Sequence, residues 1–466
     1  MQPDRLFNNN KLRNILLICN DRIKQNMAGP AIRYWEFATV LNKYFAVTLA
    51  IPPFIQNESF PQELNPTFQV LLCKTQNDLQ TLALQADVIL TVGNNLSLYP
   101  FLAQMQKPLI LDMYIPFMLE DLQKHRDKSI QEQNAFYDGS RGSHTLQIRS
   151  ADFIICANEK QRDFWLGWLG ALGRINPYTH QDDPSLFRLI DIVPFGLSTD
   201  RPLHDKPVLK GIYKNITKDD KVILWGGGLW NWLDPQTLIK AMKMISEHRS
   251  DVKLFFMGIK SPNPASAKME TVLQSIQLSQ ELGLYDECVF FNEWAPYQER
   301  HNYLLEADVG VSLHRNHIET RFAFRTRLLD YIWAGLPMVV TGGDSLSEKV
   351  TKYSLGKVVK SGDVEEVSQA LLELLETPNL REQYETNFDQ VRTPYEWETV
   401  MQPLINFCRS PYFAADKPYQ KHIPFVESGI SSWWMLPGKV IRTARQYGLS
   451  EFSRRVKEYL KWKLQR

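Results

Sequence analysis

The chain is poor in cysteine: five in 466 residues, at Cys19, Cys73, Cys156, Cys288 and Cys408. The number is odd and no Cys-x-x-Cys pair occurs, which argues against a disulfide framework and against a zinc knuckle. Cys19, Cys73 and Cys156 lie in or beside short apolar runs and read as buried, reduced thiols of a cytosolic protein. No apolar stretch reaches the roughly 18 residues of a membrane-spanning helix. Residues 1–13 are polar and lack the apolar centre of a secretory signal, so the expected location is cytoplasmic. An excess of either charge is also missing, with 53 Lys and Arg against 52 Asp and Glu. Without a global basic field, no nucleic-acid partner is expected. The nine His show no His-Glu-x-x-His spacing and no Asp-x-Asp motif occurs, so no metal is expected.

What is present is a soluble, globular composition spread over more chain than one core uses. The length predicts two domains of about 200 residues each. In the first half, short unalternated runs rich in Ile, Val and Leu recur at Asn14–Cys19, Ala46–Ile51, Gln69–Cys73, Val88–Val92, Leu109–Leu111, Phe153–Ala157 and Asp191–Pro194. Strands buried on both faces of a parallel sheet read this way. Helical stretches, among them Ala31–Lys43 and Thr75–Gln85, separate them. The alternation lapses over Leu197–Asp220, where Pro202 and Pro207 sit among charges, and this reads as a linker. It resumes with runs at Val222–Trp225, Val252–Met257, Val289–Phe291, Val309–Leu313, Met338–Thr341 and Lys357–Val359. Helices are expected near Pro235–Glu247, Ala265–Leu282, Tyr297–Glu306, Phe322–Ala334, Ser345–Tyr353 and Val364–Glu376. The class is therefore α/β, as two Rossmann-like domains: 1–197, a linker 198–220, 221–405, and an extension 406–466. A cleft between two such sheets, at the carboxyl ends of their strands, is the expected site.

The most informative segment is Ser312–Asp344, SLHRNHIETRFAFRTRLLDYIWAGLPMVVTGGD. A charged loop follows an apolar run and enters a helix that stops at Ala334-Gly335-Leu336-Pro337, with Gly335 suited to the C-cap. This segment resembles the donor-site signature of glycosyltransferase family 4, the retaining enzymes of the GT-B fold, two facing Rossmann-like domains with an interdomain cleft. In that family two glutamates at fixed spacing precede the Gly-x-Pro turn. The second binds the donor ribose, and Asp330 stands at its position; a carboxylate can accept hydrogen bonds from both vicinal hydroxyls. Strict spacing puts Phe322 at the first position, and Glu319 is the nearest acid. The resemblance gives that acid the task of steadying positive charge on the transferred sugar.

The same resemblance places an Arg and a Lys after the first strand of the second domain, where they hold the diphosphate. In the matching WGGGLWNWLDPQTLIKA, Gly228 and Leu233 stand in their places. The leaving diphosphate still requires positive partners. Arg325 and Arg327, beside a helix N-terminus and close to Arg321, are the expected replacements. Gly227 and Gly228 would let backbone approach the donor, with Trp230 beside them; Trp230 and Trp232 either flank the donor or pack the cleft. Trp294, after the run Val289–Phe291, either stacks on the nucleobase or belongs to the core. No Gly-x-Gly-x-x-Gly with an acid at the end of the next strand is present, which argues against a dehydrogenase.

In the first domain the resemblance points to Gly29 and Arg33, in the segment opening the first helix, as donor contacts. It also implies that Asp112 or Tyr114 substitutes for a family histidine near the transferred sugar. Glu159-Lys160-Gln161-Arg162 reads as lining the acceptor side or as an ordinary helix start. Tyr395–Cys408 is expected to return to the first domain. The tail 431–466 holds nine Lys and Arg against two Glu, with Phe452, Val456, Tyr459 and Leu460 at helical spacing. Such a helix lies on an anionic membrane surface or packs on the protein with a solvated basic face. The reading is a glycosyltransferase moving a sugar from a nucleoside-diphosphate sugar, without cofactor, to a glycan or lipid-linked acceptor, in surface polysaccharide or glycolipid synthesis. A nucleotide-sugar epimerase of the same fold and a catalytically silent glycan-binding or scaffold protein are the alternatives.

Overall fold

The short apolar runs are strands, and every strand pairing is parallel. The computed structural model describes residues 12–53, 55, 64–260 and 269–420. The first sheet contains β1 (Asn14–Ile18), β2 (Ala46–Ile51), β3 (Gln69–Leu72), β4 (Val88–Val92), β5 (Leu109–Asp112), β6 (Phe153–Cys156) and β7 (Ile190–Ile192). Its order is β3-β2-β1-β4-β5-β6-β7. The second contains β8 (Lys221–Gly228), β9 (Val252–Gly258), β10 (Val289–Phe291), β11 (Val309–Ser312), β12 (Met338–Thr341) and β13 (Gly356–Val359), in the order β10-β9-β8-β11-β12-β13. Central strands such as β4 and β12 are buried along their whole length, as helices on both sheet faces require. All five cysteines are buried and free.

Two elements depart from the sequence pattern. The glycines Gly226–Gly228 do not form a loop after a short strand: β8 runs through them, with a register shift between Trp225 and Gly228. This bulge is held by Tyr331. Its buried hydroxyl accepts from Gly226 N–H at 2.8 Å and lies 2.8 Å from Val311 O and 3.1 Å from Leu224 O, either of which can take its proton. The ring fills the space beside Gly310, where a Cβ would come within 2.9 Å of it. The expected helix Phe322–Ala334 is in fact two: Ile318–Phe322 and Thr326–Ala334, parted by an extended Ala323 (ψ 151°). The second ends as its sequence predicts, with Gly335 left-handed at φ 60°.

The polar helix Ile130–Ser150 is invisible to periodicity because it buries only His144, Gln147 and Ile148. Its start is nonetheless written locally, as a Ser129/Glu132 capping box. The helix Leu380–Arg392 buries only Phe388 and Val391 and escapes periodicity for the same reason.

The linker region contains no strand, and beyond it the chain returns. Leu197 bridges to Glu396, Trp397 packs edge-on against Phe37, and Phe407 stacks on Phe153 at 4.9 Å. The 405 boundary expected for the second domain thus falls inside a helix, Gln402–Arg409, that packs on the first sheet. Arg174, wholly buried, then clamps Asp416 through bonds of 2.6 and 3.0 Å. The basic segment 431–466 lies outside the described residues, as does 265–268 of the helix expected at 265–282.

Replacing Tyr331 with Phe leaves the Gly226 N–H buried without an acceptor. The expected loss of stability is about 1–3 kcal/mol, read from urea denaturation.

Candidate active site

The order of the second sheet reverses between β8 and β11, and segments leaving the carboxyl ends of β8, β9, β10 and β11 gather there. The bulge supplies the floor. Gly227 sits at φ 79° with nothing within 4 Å of the position a Cβ would take, so its backbone is open to a ligand. Gly228 pairs with Gly258, and both are roofed by aromatics. A Cβ on Gly228 would lie 3.0 Å from Trp230, and one on Gly258 2.6 Å from Trp294. Trp230 stacks on Trp232 at 5.7 Å and both are half-buried, while Trp294 covers the end of β9. Leu233, at the place where a lysine was sought, is core.

The two expected phosphate arginines are in different states. Arg327, in the first turn of helix Thr326–Ala334, donates from Nη2 to the Gly228 carbonyl at 2.8 Å and lies over the Trp225 ring at 4.8 Å. It forms no ion pair among the described residues, and its Nη1 is buried without a partner. Burial, opposed weakly by the Tyr331 hydroxyl, lowers its pKa to about 10, so it remains a cation at neutral pH. Arg325 is not free in the same way. Its Nη1 and Nη2 donate to the two oxygens of buried Glu319 at 3.0 and 2.6 Å, leaving only Nε without a partner. The expectation that both arginines are without a counterion is corrected: Arg327 has no carboxylate partner among the described residues, whereas Arg325 is paired with the very acid expected beside the sugar. Arg321 is exposed and turned away over Phe322.

The loop carrying Glu319 is fixed by its own polar groups. His317 Nε2 donates to Trp232 O at 3.1 Å, Thr320 Oγ1 donates to Arg315 O at 3.1 Å, and buried His314 lies 3.3 Å from Asp344. Asp330 is one helical turn beyond Arg327. One oxygen accepts from Arg300 Nε at 2.9 Å, yet the side chain keeps 37% of its surface, so it can meet a ligand. Arg300 lies between the rings of Tyr297 (3.8 Å) and Trp333 (4.5 Å), and Tyr297 Oη donates to Glu36 of the first domain at 3.2 Å. Asp330 is thereby linked to the opposite side of the cleft.

The first domain corrects three expectations. Arg33 and Asp112 are fully buried and pair with each other, Nε to Oδ2 at 2.7 Å and Nη2 to Oδ1 at 3.0 Å. The remaining Arg33 donors reach Pro194 O and Val193 O, and its guanidinium lies among Phe37, Tyr114 and Phe195. Neither residue has a free group for a donor or a sugar; together they tie the first helix to β5 and to the chain after β7. Tyr114 is 5% exposed with its hydroxyl buried and unpartnered, behind the cleft wall. Gly29 does open the first helix, with Pro30 after it and no side-chain cap.

The residues that meet the second domain are others. Gln161 Nε2 donates to Tyr114 O and to Phe322 O, both at 2.8 Å, and Lys160 pairs with Glu348 at 2.6 Å. Glu120, on helix Phe117–Lys124, couples electrostatically to Glu319 and Arg325. Sequence reading missed Glu120, Arg300 and Tyr331. Each sits on a helix whose pattern reports a buried face and says nothing of what the next element brings to it.

Residues 213–390, which include β8–β13, match the family model of glycosyl transferases group 1. No curated protein matches the chain in sequence. Solved structures match most of it. HepE from Anabaena, in complex with UDP-glucose, has a TM-score of 0.60 at 16% identity, over 85% of this chain and 99% of that one. Sucrose-phosphate synthase from Thermosynechococcus elongatus gives 0.59 at 14% identity, over 85% and 98%. WaaG, a glycosyltransferase involved in lipopolysaccharide biosynthesis, gives 0.59 at 15%, over 85% and 100%. The fold is GT-B, two Rossmann-like domains facing across a cleft.

Asp112→Ala would strand the Arg33 guanidinium in the core. It is expected to lower stability by about 3–5 kcal/mol, measured by urea denaturation. A variant with an unchanged midpoint but an altered ligand response would return Asp112 to the site.

Proposed function

We propose that the chain is a glycosyltransferase that moves a sugar from a nucleoside-diphosphate sugar to an acceptor hydroxyl, with retention of configuration. The observation that carries this reading is Arg327: a buried guanidinium with a spare Nη1 and, among the described residues, no carboxylate partner, on the bulge where Gly227 keeps an open backbone. A buried cation left unpaired is costly unless an anion completes it. A diphosphate is suited to the place, since it can take hydrogen bonds from guanidinium, bulge backbone and the first turn of helix Thr326–Ala334. The match of residues 213–390 to a sugar-transferring family supports the same reading.

The remaining groups then take distinct parts. Asp330 accepts from the ribose hydroxyls, and Trp294 lies beside the base. Glu319, held by Arg325, presents negative charge to the sugar ring as positive charge develops there. As the bond from the anomeric carbon to the diphosphate breaks, Arg327 stabilises the leaving oxygen, and that oxygen helps take the acceptor's proton. UDP is the first nucleotide to test, because HepE, of the same fold, was solved with UDP-glucose. A silent glycan-binding protein is the second reading, favoured by the locked Glu319–Arg325 pair and by core Leu233. The acceptor is proposed to be a glycan or lipid-linked glycan in surface polysaccharide or glycolipid assembly.

A thermal-shift comparison of UDP, GDP, dTDP and ADP tests the donor site. A ligand at a hundred times its dissociation constant stabilises by about 2.7 kcal/mol. One nucleotide should raise the melting temperature of wild type and Asp112→Asn, and fail to do so in Arg327→Ala. A full shift in Arg327→Ala would remove the basis of the proposal. Binding without turnover on any acceptor would favour the silent reading.

Among the described residues no helix is long and apolar enough to cross a membrane. We propose peripheral attachment to an anionic surface through 431–466. Deleting that segment should abolish sedimentation with phosphatidylglycerol vesicles and leave the nucleotide shift intact; unchanged sedimentation would refute attachment.

A further inference from the structure

Glu120 is the carboxylate of this cleft that the donor site leaves unused. It lies in the first turn of helix Phe117–Lys124, which follows β5, and this helix packs against Ile318–Phe322, the short helix that carries Glu319. It is half-buried and, among the described residues, has no hydrogen-bond or ion-pair partner, unlike its neighbour Asp121, which is bonded to Ser140. The charged groups around it come from both domains. Glu319 and Arg325 face it from across the cleft, while Lys124 and Asp121 lie on its own helix. Tyr114 couples to it from the chain after β5. On the other side, helix Ile130–Ser150 turns His144 inward against Phe117.

One further atom at this seam lacks a partner. Arg325 Nε is buried and unsatisfied, and Arg325 follows the short helix that packs against the helix of Glu120. A buried donor left without an acceptor points to a group that the protein alone does not supply. The diphosphate is not that group for Glu120, because a carboxylate repels it and Arg327 already holds its place on the opposite domain. What a carboxylate across the cleft from the donor does suit is a hydroxyl, which can donate to it while its oxygen stays free to react.

We propose that Glu120 seats the acceptor: its ionised carboxylate accepts a hydrogen bond from the incoming hydroxyl and holds that oxygen toward the anomeric carbon. The assignment rests on the glycosyltransferase reading above. It moves the first domain's substrate contact from Asp112, which is locked on Arg33, to a residue one helix later. Burial first, then the charge of Glu319, push the Glu120 carboxyl up to about 8, with Arg325 opposing. The sign follows. Below that pH the group is protonated and offers a proton to the hydroxyl oxygen; above it the carboxylate accepts, so seating is gained as pH rises through about 8.

The test uses water as the acceptor, so no glycan need be identified. Release of UDP from UDP-glucose is followed from pH 6 to pH 9.5 in wild type, Glu120→Gln and Glu120→Asp, beside the thermal shift each shows with UDP. The expected result is an equal UDP shift in all three and a wild-type release rate that rises through about pH 8. Glu120→Gln should be slower by roughly 100-fold and flat with pH, as for a displaced reactant. Glu120→Asp should recover part of the rate and the pH dependence. An intact UDP shift with unchanged rate and pH profile in Glu120→Gln would overturn the assignment while leaving the donor site standing. A wild type that shows no shift with UDP, GDP, dTDP or ADP and releases no UDP from UDP-glucose would overturn both.

Discussion

The geometry of the cleft depends on one hydroxyl. Tyr331 stands under the switch point of the second sheet and satisfies the backbone where β8 bulges, with Gly226 N–H as donor and Val311 O or Leu224 O as acceptor. A bulge in a central parallel strand exposes polar groups in an apolar core, and a buried polar group without a partner is costly. With Tyr331 in place the strand continues through three glycines. The Gly228 carbonyl meets Arg327, and Gly227 keeps an open backbone. Tyr331 and Arg327 are one turn apart on the same helix, so the residue that shapes the floor and the residue that charges it move together.

Three arginines buried along the cleft show how partners divide structure from function. Arg33 has a carboxylate, two carbonyls and three aromatic rings around it, and each of its nitrogens is bonded. Arg325 has a bidentate carboxylate and one idle nitrogen. Arg327 has a single carbonyl and a ring. All three are buried, but only Arg327 has no carboxylate partner among the described residues. Of the two arginines expected to stand in for the missing pair, only Arg327 has no carboxylate partner among the described residues. The second candidate instead holds Glu319.

At the site the two domains meet through polar contacts and through Phe164 of the first against Phe322 of the second at 5.0 Å. Gln161 joins the carbonyls of Tyr114 and Phe322, Lys160 pairs with Glu348, and Glu36 takes the Tyr297 hydroxyl while Tyr297 flanks Arg300. Asp330 and Arg300 belong to the second domain, so a ligand engaging Asp330 would act on a chain of contacts that ends on the first helix of the other domain.

Much of the fold was written locally. Apolar runs without alternation specify strands buried on both faces, and Ala46–Ile51, Val88–Val92, Val289–Phe291 and Met338–Thr341 begin and end where the residues say. Gly335 before Leu336-Pro337 closes its helix because glycine takes the left-handed cap without strain. Side-chain partnership was not written locally. Asp112 and Arg33 are 79 residues apart, and only the pairing of β5 beside the first helix shows that each consumes the other. Glu319 and Arg325 lie close in sequence as two separate candidates, and the extended break at Ala323 folds them into one ion pair. Glu120 carries no motif. Hydrophobic periodicity and turn chemistry act over a few residues, and these the sequence states outright. Which charge is left without a counterion depends on contacts between distant segments, and only the tertiary structure decides it.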